Sequence, residues 1–145
     1  MAQFGGPKLV KELHFDDKAK LKLTRGINKI ANSVGSTLGP SGRTVVIEDD
    51  FGNPHVTKDG VTVANSIMLK NPVENLGVAM MKQAAQQTAN IAGDGTTTSI
   101  VLAQAIISCY KAQNGADFSF RDIRSGIDKY KNHILKILED KSIKI

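Results

Sequence analysis

From Asn90 to Ile106 the chain reads "NIAGDGTTTSIVLAQAI", an acidic residue between two glycines, then three threonines, then an apolar run. Threonine is a mediocre helix former because its branched β-carbon is stiff, so three in a row suit a helix start better than a helix interior. A helix start exposes unpaired N–H groups and the positive end of the helix dipole, a combination suited to phosphate. Gly93 and Gly95 let the backbone approach a ligand and adopt angles other residues avoid, and Thr96, Thr97 and Thr98 add hydroxyl donors. Asp94 would repel phosphate oxygens unless a divalent cation lay between, and Mg²⁺ is the cation that favours one or two carboxylates plus phosphates. The alternative is a tight Gly-Asp-Gly turn followed by threonines that cap the helix, and this stretch alone leaves both readings open.

Two further loops carry related chemistry. "TLGPSGR", Thr37 to Arg43, is a glycine and proline turn at a helix end, and "TKDG", Thr57 to Gly60, sets Asp59 and a glycine at a strand-to-helix junction. Neither is a Walker P-loop, because Thr37 stands five residues before Gly42 where glycine belongs, and Arg43 stands where lysine belongs. Each loop alone is an ordinary turn. Three of them at helix termini, two holding a carboxylate, point to one composite phosphate and metal site.

Elements that would position these loops follow from periodicity. Asp16 or Asp17 can cap a helix whose apolar face is Ala19, Leu23, Ile27, Ile30 and Val34, ending at "TLGPSGR". Thr44 to Ile47 and Pro54 to Thr57 predict a hairpin around Asp49, Asp50, Gly52 and Asn53. A short helix is expected from Gly60 to just before Asn71. There "NPVE" supplies a cap, a proline at the first helical position and Glu74 at the third, opening a long helix to about Ile91. Between Ile100 and Ile107 only Gln104 is polar, so the following helix is expected at the centre of the domain, with Cys109 a buried structural thiol. Ser119 caps the last helix, which carries Ile123, Ile127, Tyr130, Ile134, Ile137 and Leu138 on one stripe.

The 145 residues are 41% hydrophobic and 23% charged, ordinary for one globular domain. No run reaches the roughly 18 apolar residues of a membrane span, and the N-terminus lacks the apolar segment of a secretory signal, so no membrane partner and a cytoplasmic location are expected. The net charge of +5 invites nucleic acid, but the lysines are interleaved with acids and aromatics are only 5%, which argues against that partner. Three scattered histidines, His14, His55 and His133, suggest surface positions rather than a metal cluster.

"TLGPSGRTVVI", "FGNPHVTKDGVTVA", "AGDGTTTSIVLAQAII" and "RSGIDKY" occur in the order and spacing of group I chaperonins, the GroEL family, which the chain resembles from about Phe15 to Ile143. The resemblance implies a mainly α fold, the long-helix bundle of the first part of the equatorial ATP-binding domain with a small β-hairpin. Residues 15–141 would be that segment, 1–14 an N-terminal arm including Phe4, Gly5 and Gly6, and 142–145 the start of a connection to an intermediate domain. It implies an ATP-dependent chaperone whose double rings enclose non-native polypeptides under a lid co-chaperonin. Asp94 would bind Mg²⁺, with Gly95, Thr96, Thr97 and Thr98 donating to the ATP phosphates. Thr37, Leu38, Gly39 and Pro40 would line the nucleotide pocket, the carbonyls of Thr37 and Lys58 would hold K⁺, and Asp59 would orient the attacking water.

The second hydrolytic carboxylate, the apical domain and the returning half of the equatorial domain would lie beyond Ile145, so the chain alone is expected to be catalytically inactive and marginally stable. The positive charge, the extended N-terminus and the acid-poor "NSIMLK" fit a divergent member, mobile or viral in origin. An alternative role is a non-enzymatic truncated subunit that docks into a full-length ring.

Overall fold

A computed structural model describes Leu13 and residues 16–48, 51–112 and 119–143; the N-terminal arm apart from Leu13, together with His14, Asp49 and Asp50, lies outside the described residues. The elements in chain order are α1 (Asp16–Gly35), β1 (Val45–Glu48), β2 (Pro54–Thr57), α2 (Gly60–Ser66), α3 (Pro72–Ala92), α4 (Thr96–Ala112) and α5 (Phe120–Lys141). The fold is mainly α with one small antiparallel sheet, in which Val45 faces Thr57 and Glu48 faces Pro54. Two compact units are distinguished, one ending at Cys109 and one beginning at Tyr110.

In the first unit the core is built by period. On α1, Ile27, Ile30 and Val34 of the expected face are buried, Ala31 joins them, and Ala19 and Leu23 nearer the start are half-buried. They meet Val63 and Ala64 of α2, Val78, Met81 and Ala85 of α3, and Ile100 of α4. Ile30 and Val34 are fully enclosed, each worth roughly 1.5–3 kcal/mol of apolar transfer. α3 opens as its sequence implies: Asn71 accepts from Val73 N and Glu74 N, with Pro72 in the first turn.

What brings α1 against α3 is a pair of glycines that periodicity does not flag. A β-carbon on Gly26 would fall on the carbonyl oxygen of Glu74, and one on Gly77 on the carbonyl of Leu23, so the two backbones touch where side chains would normally hold helices apart. Beside this crossing Lys29 Nζ donates to Glu74 Oε2 at 2.7 Å.

Four expectations are corrected. The hairpin's first strand begins at Val45 rather than Thr44. α1 begins at Asp16, so both Asp16 and Asp17 lie in the first turn instead of capping it. α2 stops at Ser66, where Ile67 turns extended and donates to the Ala64 carbonyl; the apolar Ile67, Met68 and Leu69 therefore leave the helix axis, and Ile67 and Leu69 pack on the core from an extended segment. α4 is not central. Among the described residues its only buried side chain is Ile100, with Ala103 and Ile107 half-buried along the same stripe, while Leu102, Ile106 and Cys109 are exposed. An all-round apolar helix buries whichever stripe finds a partner, and α1 to α3 supply one side only.

The second unit holds the last residues of α4, from Tyr110, and α5. Ser119 and Asp122 form a reciprocal capping box, Ser119 Oγ accepting from Asp122 N at 3.2 Å while Asp122 Oδ2 accepts from Ser119 N at 3.1 Å. No helix among the described residues is long and apolar enough to cross a membrane.

Inserting a methyl group into a packed crossing costs roughly 1–3 kcal/mol, against about 1 kcal/mol gained by replacing a helical glycine. The obstacle at Gly77 is backbone, which cannot swing aside. Gly77→Ala is therefore expected to lower the unfolding free energy by about 1–2 kcal/mol. A urea titration showing unchanged or higher stability would contradict the crossing.

Candidate functional site

Gly60, buried at the start of α2, is where the three loops meet. A β-carbon there would land on Thr97 Oγ1 and lie 3.1 Å from Thr37 Oγ1, so hydroxyls from the α1 end and the α4 start both abut its Cα. Thr37, Thr97 and the Asp59–Gly60 junction are thereby adjacent although 60 residues separate the first two in sequence.

Each loop has its own local cause. After α1, Thr37 Oγ1 donates to the Val34 carbonyl at 2.7 Å, Gly39 takes a left-handed φ of 78°, and Arg43 N closes the loop on Ser36 O at 2.7 Å. The Thr37 carbonyl packs on the Cα of Gly42, where any side chain would collide with it. Leu38, Gly39 and Pro40 are exposed along the rim of this turn, as is Lys58 on the segment entering α2.

Asp59 is the N-cap of α2. Its Oδ1 accepts from Val61 N at 3.2 Å, and its Oδ2 from Thr62 N at 2.9 Å and Thr62 Oγ1 at 2.5 Å. The Thr62 hydroxyl first, and then the Thr62 amide, hold the Asp59 carboxyl below its usual range, because each donor stabilises the ionised form. Position fits this role, since a β-region Asp ahead of a helix is a favoured cap.

At the third loop, Gly93 ends α3 with a φ of 74°, its N–H reaching Ala89 O at 2.8 Å, and Gly95 follows Asp94 with a φ of 84°. The first intrahelical bond of α4 is Ser99 N to Gly95 O, so the N–H groups of Thr96, Thr97 and Thr98 precede the ladder and have no carbonyl four residues back. Asp94 is exposed. Its Oδ1 accepts from Gly95 N at 2.6 Å, and among the described residues Oδ2 has no partner. One free carboxylate oxygen at an exposed turn fits a hydrated Mg²⁺ that takes its remaining ligands from phosphate and water. Among the described residues there is no cluster of three or more acidic, histidine or cysteine ligands. Thr98 is exposed at the first turn of α4.

A cavity of about 210 Å³ lies beside the junction, lined by Gly60, Ala64, Lys82, Gln86, Asp94 and Thr96 among others. The sequence does not single out Lys82. From α3 it donates to Asn65 O at 2.8 Å and Ile67 O at 2.9 Å, neutralising the open carbonyls at the end of α2, and burial lowers its pKa. No local pattern announces it, because its acceptors lie 17 and 15 residues away. Thr62 was also unmarked, although a threonine three residues after a capping aspartate is a readable signal.

The packing at Gly60 is testable by a double-mutant cycle. Gly60→Ala is expected to destabilise by about 1–3 kcal/mol, and Thr97→Ala in the same chain to recover part of that loss by vacating the colliding position. Strict additivity in urea denaturation would mean the two residues do not touch.

Residues 30–145 match the TCP-1/cpn60 chaperonin family. Among solved structures, the chaperonin gp146 of bacteriophage EL (Pseudomonas aeruginosa), crystallised in the presence of ATP-BeFx, is 29% identical with a TM-score of 0.75 over 89% of this chain and 22% of that one. A group III chaperonin in the open state is 28% identical with a TM-score of 0.73, covering 88% of this chain and 25% of its own. The chain thus spans about a quarter or less of the chaperonins it matches. A match over four-fifths of the sequence, joined to likeness of both sequence and fold, establishes that this chain belongs to the TCP-1/cpn60 chaperonin family.

Proposed function

We propose that this chain is the phosphate- and magnesium-binding segment of an ATP-dependent chaperonin subunit that assists the folding of non-native polypeptides in a homo-oligomeric ring. The observation that carries the reading is the meeting of the Thr37 and Thr97 hydroxyls on Gly60, next to a free helix N-terminus and an exposed carboxylate. Membership of group I, and with it a lid co-chaperonin, rests on the four motif strings.

Division of labour follows from charge. The backbone N–H groups of Thr96, Thr97 and Thr98 donate to phosphate oxygens at the positive end of α4. Asp94 would hold a Mg²⁺, which would supply positive charge to offset the charge developing on the phosphates. Thr37, Leu38, Gly39 and Pro40 would border the nucleotide, and the Thr37 and Lys58 carbonyls would be the oxygen donors for K⁺. In hydrolysis, water oxygen bonds to the terminal phosphorus as the bridging P–O bond breaks. The bond pair leaves with ADP, and the water proton passes to phosphate or solvent. Asp59, with its donors already in place, orients that water rather than shuttling its proton.

A second reading has a specific observation behind it. Leu102 and Ile106 of α4 are 57% and 50% exposed, a surface suited to docking this chain, as a non-enzymatic subunit, into a chaperonin ring.

Isothermal calorimetry of the chain with ATP and Mg²⁺ tests the site. Heat is expected for the native sequence and loss of it for Asp94→Ala; equal binding by both would remove the metal assignment. Asp59→Asn retains a competent helix cap, so it is expected to leave nucleotide affinity intact and to slow turnover in any ring that hydrolyses ATP. A variant ring with unaltered turnover would dismiss Asp59 from hydrolysis.

A further inference from the structure

The Asp59 carboxylate offers about four acceptor sites on its two oxygens. Thr62 occupies both on Oδ2, through its N–H and its hydroxyl, and Val61 N occupies one on Oδ1. One acceptor is left, and it lies on Oδ1. An aspartate cap that accepted from the two backbone donors alone would keep a free site on each oxygen. Here the side chain of the third helical residue closes the one on Oδ2.

We propose that Thr62 is a positioning residue for the hydrolytic site, its hydroxyl pinning the Asp59 carboxylate so that a single Oδ1 lone pair is presented to the attacking water. This rests on the ATP-hydrolysing reading of the site and adds to it the element that selects the oxygen. Without the hydroxyl, the backbone donors alone still cap α2, but Oδ2 becomes a competing acceptor and the water has two places to sit. Thr62 is half-buried on α2, and the bond it makes is the shortest of the three on this carboxylate. Its neighbours fix it from behind, since Val63 and Ala64 are buried in the core.

A transition-state mimic reads this without requiring turnover, because a group that orients the attacking water favours the transition state over the ground state. The probes are Mg²⁺-ADP and Mg²⁺-ADP with aluminium fluoride, titrated calorimetrically into the native chain, Thr62→Val and Thr62→Ser, with helix content checked by circular dichroism. The native chain is expected to bind the fluoride complex more tightly than ADP. Thr62→Val should weaken the fluoride complex by roughly 10-fold or more and leave ADP affinity unchanged. Thr62→Ser, which retains the hydroxyl, should restore the preference, and Thr62→Val should add nothing in an Asp59→Asn background. Equal loss for both ligands, a serine variant as impaired as the valine one, or a native chain with no preference for the fluoride complex would overturn the positioning role while leaving the nucleotide site standing. Binding of neither ligand by the well-folded native chain would instead overturn the ATP reading, and the positioning role with it.

Discussion

The contact on which the candidate site depends is steric: the bare Cα of Gly60 against Thr97 Oγ1, with Thr37 Oγ1 close by. Any side chain at this position would separate the start of α4 from the end of α1. The rest of the first unit is arranged to make that meeting possible. α1 and α3 cross with backbones touching at Gly26 and Gly77, which fixes how far apart their ends stand. Asp94 follows α3 between two left-handed glycines, and Thr37 follows α1 two residues after its last residue, Gly35. Three loops with separate local causes become one site because two helices approach more closely than ordinary side chains permit.

Polar chemistry at the junction is similarly shared between structure and function. Asp59 spends three of its acceptor sites on the first turn of α2, so whatever it does for a ligand uses what remains. Lys82 serves the other end of the same short helix by satisfying Asn65 O and Ile67 O. A seven-residue helix gains little from its own ladder, because nucleating a helix is unfavourable and short ones are marginal. Side chains at both ends hold α2, and hence Gly60, in place.

Much of this was legible in the sequence because it depends on neighbours a few residues apart. The apolar spacing of α1, the Asn71-Pro72-Glu74 start of α3, the Ser119 cap and the glycines around Asp94 are local devices, and each appears where the residues imply. Distant contacts left no such trace. Gly26, Gly77 and Lys82 act on partners in other elements, and Ser66 ends α2 although Ile67, Met68 and Leu69 continue its apolar character. The largest departure is α4. Its composition indicates burial on all sides, yet Leu102, Ile106 and Cys109 are exposed, since α1, α2 and α3 cover only the Ile100 stripe.

The three loops are expected to act together on one ligand. Amide shift mapping by two-dimensional NMR, with ¹⁵N-labelled chain titrated with ATP and Mg²⁺, tests it most directly. Concerted shifts are expected at Thr37 to Gly39, at Asp59 and Gly60, and at Asp94 to Thr98, all saturating at one ligand concentration. Shifts limited to a single loop, or saturating at different concentrations in different loops, would contradict it.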